Sequence, residues 1–326
     1  MPNFSGVWSL QSQMQAIAAG NWTGLPVPGL YVWGQNFNGQ LGINNLVYQS
    51  SPVQVGALTD WSEVSAGNQD CAAIKTNGTL WTWGKNHTGQ LGQNDTVNRS
   101  SPVQVGSLTT WSKVSMGDAV CAAITTSGTL FTWGYNYSGQ LGISSAIYKS
   151  SPTQVGALTN WSQVSANGLS CAAITTSGTL FTWGRNTAGQ LGIGNTANRS
   201  SPVQVGALTD WSQVSTKGSQ CFAIKTDGTL WAWGAGGDGQ LGQNDTINRS
   251  SPVQVGALTT WSQAFSGFSS CAAITTSNTL FTWGKNTQGQ LGQNNVILRS
   301  SPVQVGGFAT WSKVSAGDNF CAGILT

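Results

Sequence analysis

The chain has 326 residues, thirteen Lys or Arg against ten Asp or Glu, one histidine and a formal net charge of +3. Only 7% of residues are charged, where about 25% is ordinary for soluble domains, and 43 are glycine. This excludes charge-driven disorder; no apolar run approaches the ~20 residues of a spanning helix; and the basic residues are spread along the chain, which argues against a nucleic-acid binder.

Residues 1–28 differ in pattern from the remainder of the chain. They contain neither a basic n-region nor an unbroken apolar h-region, so they do not read as a Sec signal peptide. Leu10, Met14 and Ile17 fall at i, i+4 and i+7, one stripe of a short helix that Gly20 would stop. With Trp8 they form the expected anchor of a tether segment.

Residues 29–326 repeat with a period of fifty, six times over. Trp33-Gly34 leads to Gly39-Gln40-Leu41-Gly42, and the same block returns at Trp83, Trp133, Trp183, Trp233 and Trp283. Ser-Ser-Pro and Trp-Ser pairs recur at the same interval. Such a period means one supersecondary unit arrayed so that each copy covers its neighbour.

In the unit from Trp61 to Gly106, Trp61-Ser62-Glu63-Val64-Ser65 alternates as a half-buried strand does. Cys71-Ala72-Ala73-Ile74-Lys75 is a second strand, and Thr76-Asn77-Gly78 predicts a tight hairpin of the primed type. Leu80-Trp81-Thr82-Trp83 is a third, and Pro102-Val103-Gln104-Val105 a fourth with its proline at the start. Four short antiparallel strands repeated radially predict an all-β, closed six-bladed β-propeller with a short N-terminal extension. The last two strands of a blade near Trp33 and the first two near Trp311 would complete its final blade together.

The Trp83-Gly84-Lys85-Asn86-His87-Thr88-Gly89-Gln90-Leu91-Gly92 block and its five counterparts resemble the RCC1 repeat, named for the regulator of chromosome condensation. The resemblance covers residues 29–326 and implies a propeller fold. Where that family carries a histidine, this chain has Asp70, Val120, Ser170, Gln220, Ser270 and Phe320. Six uniform repeats leave no room for the wedge with which the family's exchange factors engage a small GTPase. The Gly-Trp-Arg-His-Thr motif of the fold's plant photoreceptor is also absent. Residues 1–28 resemble leader segments on structural proteins of marine tailed phages.

The chemical inventory points away from catalysis. His87 is the sole histidine and Glu63 the sole glutamate. Each repeat carries one cysteine, from Cys71 to Cys321, read as buried filler rather than as a disulfide or metal set. Asp95 and Asp245 are read as solvated turn residues, since calcium needs six or so oxygens. No cofactor is expected.

The connections between strands two and three, and from one repeat to the next, barely change among copies, whereas the other two connections vary and emerge on one face. Loops on a rigid scaffold are the usual place for binding. The candidates there are Phe37, Tyr48, His87, Tyr135, Tyr137, Tyr148, Phe268 and Phe320, with a basic series Arg99, Lys149, Arg199, Arg249 and Arg299. The expected function is a non-enzymatic virion surface component, tethered to other virion proteins through residues 1–28, whose varied face meets a host-surface glycan or protein. The alternative is a free bacterial protein-interaction module or inhibitor, in the cytoplasm or at the cell surface. Neither reading involves nucleic acid or membrane insertion, and homo-oligomers fit both.

Overall fold

The computed structural model describes residues 29–325 except positions 58, 308, 309 and 318, so the expected anchor Trp8, Leu10, Met14 and Ile17 lies outside the described residues. The described residues form twenty-four strands and no helix. The first two strands are β1 (Tyr31–Gly34) and β2 (Gln49–Gln54). The first complete blade is β3 (Trp61–Ala66), β4 (Asp70–Lys75), β5 (Leu80–Gly84) and β6 (Arg99–Gln104). The next is β7 (Trp111–Met116), β8 (Val120–Thr125), β9 (Leu130–Gly134) and β10 (Lys149–Gln154). It is followed by β11 (Trp161–Ala166), β12 (Ser170–Thr175), β13 (Leu180–Gly184) and β14 (Arg199–Gln204). Then come β15 (Trp211–Lys217), β16 (Gln220–Lys225), β17 (Leu230–Gly234) and β18 (Arg249–Gln254). The fifth is β19 (Trp261–Ser266), β20 (Ser270–Thr275), β21 (Leu280–Gly284) and β22 (Arg299–Gln304), before β23 (Trp311–Ala316) and β24 (Cys321–Leu325). Each complete blade is a four-stranded antiparallel meander in chain order.

The first strands of successive blades pack against one another and form the inner edge. They are joined by side chains reaching across. Glu63 Oε1, Gln163 Oε1 and Gln213 Oε1 accept the backbone N–H groups of Val114, Val214 and Ala264 at 2.9–3.0 Å. Ser65, Ser115 and Ser165 do the same for Met116, Ala166 and Thr216. A backbone donor that no strand partner covers is thus satisfied by the neighbouring blade.

The motif that sets the repeat register is an inter-blade lock. The Trp83 indole N–H donates to the Gln40 carbonyl at 3.0 Å, and Trp133, Trp183, Trp233 and Trp283 donate to Gln90, Gln140, Gln190 and Gln240 at 2.9–3.1 Å. All five rings are fully buried. The lock explains both glycines of the Gly-Gln-Leu-Gly block. A Cβ on Gly142, whose φ is +69°, would lie 2.7 Å from the Trp183 Nε1, and one on Gly139 would lie 2.6 Å from the Ser200 Cα of the next blade.

The second-to-third-strand turn differs from the primed geometry expected. In Thr76-Asn77-Gly78 only Gly78 has positive φ, at +76°. The Gly78 N–H bonds to the Lys75 carbonyl and the Lys75 N–H to the Thr79 carbonyl, the pattern of a type I turn closed by a left-handed residue. Asn77 instead uses its side chain to accept the Thr79 N–H. Asn278 takes the left-handed position in the last such turn, at φ +61°, as asparagine tolerates.

The two half-blades expected to share one sheet are separate two-stranded sheets, β1-β2 and β23-β24. The consequence is visible in burial. Trp33 is 62% exposed where its five counterparts are 0%, and Ile324 is 55% exposed where Ile74 is 2%. The last core cluster, around Ala272, Ile274, Leu280, Val314 and Ala316, lacks the tryptophan of this series that centres the others. In its place is a cavity of about 290 Å³ lined by Leu280, Gln290, Gly292, Val305 and Cys321 among others.

Two alanine substitutions separate backbone strain from packing in the lock. Gly156 has φ +59° and open space where a Cβ would go, whereas Gly142 has both positive φ and the Trp183 ring. Gly156→Ala is expected to cost about 1–2 kcal/mol and Gly142→Ala about 2–5 kcal/mol by denaturant titration. Equal costs would remove the ring contact as the reason for glycine.

Candidate functional site

The blade ends make two faces with different construction. At one end the second-to-third-strand turn is tied to the incoming connection, with the Trp111 N–H on the Gly78 carbonyl and the Thr76 N–H on the Asp60 carbonyl. At the other, the long third-to-fourth-strand loop is tied to the first-to-second-strand loop, through Lys85 N–H to Gln69 O, Tyr135 N–H to Ala119 O and Arg185 N–H to Leu169 O. This second end carries the variation.

Its long loop is built around a buried amide. Asn86 is 0% exposed; its Oδ1 accepts the Leu91 N–H at 2.9 Å and its Nδ2 donates to the Asp95 and Val97 carbonyls at 3.1 Å. Asn36, Asn136, Asn186 and Asn286 repeat the arrangement. Asp95 Oδ1 also accepts the Val97 N–H at 2.9 Å, as Asn45, Asn195, Asp245 and Asn295 do for their counterparts two residues on. Both backbone polar groups of Val97 are therefore fixed, and its side chain is left in solvent. The same holds at Val47, Ile147 and Ile297, and these side chains with Ile247 are 58–68% exposed. These apolar pegs, four of them held by the buried amide, were not among the sequence candidates. The signal was present as an apolar residue two positions before the basic series in every repeat, Ala197 being the small one.

The position after the peg is more selective. Asn98, Asn198 and Asn248 use Oδ1 to accept the backbone N–H of Asn86, Asn186 and Gly236 at 2.8–2.9 Å. The other three repeats carry Tyr48, Tyr148 and Leu298, which are 58%, 43% and 41% exposed. A loop hydrogen bond worth about 1 kcal/mol is forgone there for an exposed large side chain.

Among the sequence candidates, Phe37, Tyr137 and Phe268 are exposed at 68%, 75% and 58%, and His87 is exposed. Tyr135 is half-buried against Tyr148, with ring centroids 4.8 Å apart. Two expectations are corrected by the geometry. Arg99 and Arg249 are ion-paired with Asp95 and Asp245 four residues earlier, so two members of the basic series are already neutralised within their own loops. Lys149, Arg199 and Arg299 have Ser145, Asn195 and Asn295 at that place and no such partner among the described residues. Phe320 is in register with Val120, Ser170, Gln220 and Ser270, all at most 3% exposed. Its 66% exposure reflects the open half-blade rather than the varied face.

Two lysines are held on the other side of the molecule. Lys75 lies 4.8 Å from the Trp81 ring centroid and 3.5 Å from Asp60, and Lys225 lies 4.6 Å from Trp231 and 3.4 Å from Asp210. Repeats with Thr in place of lysine have Phe in place of this tryptophan, so the pair is one exchangeable packing unit. All six cysteines are free thiols, and burial pushes Cys71 and Cys171 up to about 12, which keeps them protonated and unreactive. Among the described residues no three His, Cys, Asp or Glu side chains group to hold a metal.

The profile of the RCC1-like domain matches residues 2–271, and RCC1 repeat profiles match residues 277–324 and 261–290. Among solved structures, human WBSCR16 aligns with a TM-score of 0.80 at 23% identity, over 91% of this chain and 81% of that one. The structure of Kap60 bound to yeast RCC1 (Prp20) aligns at 0.80 and 18% identity, over 92% and 77%. Prp20p from Saccharomyces cerevisiae, described with its binding to Gsp1p and histones, aligns at 0.66 and 16%, over 92% of each chain. At these identities the likeness shows the fold. No curated protein matches the chain in sequence.

One acid on the varied side is buried. Asp70 is 3% exposed, and burial pushes its carboxyl up to about 8, with Asp118 adding to the rise and the Gln90 hydrogen bond and Lys85 opposing it. The folded value lies above the ordinary one, so this group's contribution to stability is full below about pH 4 and is lost as pH rises through about 8. Asp70→Asn is expected to raise Tm over the parent at about pH 9, with the gain shrinking toward about pH 5. Scanning calorimetry showing the same gain at both pH values would contradict a buried, neutral acid.

Proposed function

The chain belongs to the RCC1-like domain family, and from that premise we propose that it is a non-enzymatic protein-binding module that engages its partner through the varied face. The observation that carries this reading is the pegged loop. The N–H and C=O of Val47, Val97, Ile147 and Ile297 are both hydrogen-bonded while the side chain is held in water, an arrangement with no evident benefit to the fold. Tyr137 and Tyr148 supply the large amphipathic contact area typical of interfaces. The Prp20 structures are described as bound to Kap60 and as binding Gsp1p and histones, which supports protein as the class of partner. A photo-crosslinking amino acid at Tyr137 is expected to capture the partner in the producing organism, and one at Leu158, exposed on the opposite face, is not. Adducts at Leu158 alone would overturn the assignment of the face.

The scaffold in this reading is a closed ring of six blades, with β24 pairing β1 in the register of β4 with β5. Carrying that register over sets Ile324 against Leu30, Ala322 against Val32 and Cys321 against Trp33. Trp33 then fills the cavity beside Gln290, and Glu63, already 3.5 Å from Lys113, gains Lys313 on its other side. Gly292 tests this. Only Val305 Cγ1, at 3.5 Å, lies near a Cβ there, so an open seam makes Gly292→Ala as mild as Gly156→Ala. Closure makes it as costly as Gly142→Ala, and a Val32→Cys/Ala322→Cys pair then forms an intramolecular disulfide. The mild result together with no disulfide would rule closure out.

A virion setting, with residues 1–28 as tether and the varied face turned toward host or virion protein, is the setting we propose from the sequence pattern alone. Mass spectrometry of purified particles checks that setting, and a free bacterial module is its alternative.

A further inference from the structure

The charges of the molecule are divided unevenly between its two sides. On the strands and the uniform face, Lys75, Lys225 and Lys113 are each within 3.5 Å of a carboxylate, on Asp60, Asp210 and Glu63. Lys313 and Asp227 remain there, of opposite sign. The varied face is different. Lys85, Lys149, Arg185, Arg199, Lys285 and Arg299 have no carboxylate within ion-pairing distance among the described residues. Among the described residues the unpaired acids beside them are Asp118 and Asp238, while Asp70 is buried. The chain's positive excess therefore sits on the face that also carries the pegs.

The two features interleave. Ile147 precedes Lys149 by two residues and Ile297 precedes Arg299 by two, so an aliphatic side chain at the end of the fixed loop is followed closely by an unpaired cation at the start of the next strand. Resting on the reading that this face binds, we propose that its occupant is an acidic protein surface with apolar side chains among its carboxylates. Ile147, Ile297 and their counterparts take the apolar contacts, and Lys149, Arg199 and Arg299 take the carboxylates. Charge complementarity steers the encounter and fixes its register, while the apolar contacts give it persistence. Nucleic acid is the poorer match, because the element that recurs on this face is an aliphatic branch, while the aromatic planes on which bases would stack, such as Phe37, Tyr137 and Phe268, occur in only some repeats. A second copy is also a poor match, since the face repels its own kind and the opposite face is close to neutral.

The test uses the full chain and fluorescence anisotropy. The probe is a labelled peptide alternating Asp with Leu and Phe; comparison probes are an Asp-Ser peptide, a single-stranded oligonucleotide and vesicles of anionic lipid. The Asp-Leu-Phe peptide is expected to bind best and to weaken as salt rises. The triple variant Lys149→Gln/Arg199→Gln/Arg299→Gln and the double variant Ile147→Ser/Ile297→Ser are each expected to lose about tenfold in affinity. Ile147 and Ile297 are exposed and Lys149, Arg199 and Arg299 are half-buried, so an unchanged melting curve is the check that the variants fold. Binding of oligonucleotide or vesicles as tight as that of the peptide, or an unaffected isoleucine variant, would overturn the proposal. If the peptide does not bind while crosslinking at Tyr137 still captures a partner, the face stands and its acidic occupant falls. Failure of both removes the face as well.

Discussion

The hydrogen bond from a buried indole to the backbone carbonyl of the preceding repeat is the constraint on which the rest depends. A tryptophan gives the blade interface its largest apolar payload, but its N–H must find an acceptor once buried. The Gln carbonyl of the neighbouring loop is that acceptor, and it comes within 2.9–3.1 Å only because the residues flanking Gln-Leu have no Cβ. Tryptophan, glycines and loop length are therefore one device, which is why they recur together at intervals of fifty. The device also makes each loop part of the next blade. The segment from Asn86 to Leu91 closes its own loop through the buried amide and caps its neighbour through the Gln90 carbonyl. Anything displayed beyond Leu91 is displayed from a rigid base.

That division of labour accounts for the freedom of the varied face. The bonds that hold the loop run from the Asn86 side chain to main-chain atoms, and from the Asp95 side chain to a main-chain N–H. None of these depends on the side chain at the peg, and the one loop bond that uses the residue after it, to Asn98, Asn198 or Asn248, is made in three repeats and dispensed with in the others. Val, Ile or Ala at the first position and Asn, Tyr or Leu at the second are all compatible with the same backbone. The opposite face has less latitude, because a Cβ at Gly78 would lie 2.2 Å from the Thr109 carbonyl oxygen of the incoming connection. Uniformity on one side and variety on the other follow from which atoms carry the hydrogen bonds.

Much of the architecture was legible in the chain because the repeat allows each position to be read six times. Strand order, the burial of the tryptophans, the unreactive cysteines and the identity of the varied end all follow from that comparison. What escaped it was the fine geometry. Asn-Gly is compatible with a primed turn and with a type I turn ending in left-handed glycine, and the Asn77 bond to the Thr79 N–H decides for the second. The pegs escaped because an aliphatic residue at a repeated position reads as core; only the fixing of both its backbone groups shows that it points outward. Asp95 and Asp245 four residues before Arg99 and Arg249 were readable as ion-pair partners, since that spacing recurs in just those two repeats. Phe320 could not be judged from sequence, because its exposure depends on whether a blade lies beside it.

The seam shows how far a repeat can vouch for itself. Each interior lock has three parts, an indole, a carbonyl and a glycine that leaves room, and they are drawn from two consecutive repeats. At the ends the parts are present but apart: Trp33 is the indole without a carbonyl, and Gln290 with Gly292 is the carbonyl and the room without an indole. The inner edge tells the same story in charge, since Glu63 meets a lysine on one side and the remaining lysine of that register, Lys313, is on the far half-blade. A polar inner ring of Gln and Ser would be indifferent to which blade came next. In the proposed closed ring the single glutamate, with a lysine on each side, is not indifferent. The apolar lock makes the five observed junctions alike, and in the proposed ring the one charged register distinguishes the junction that closes it.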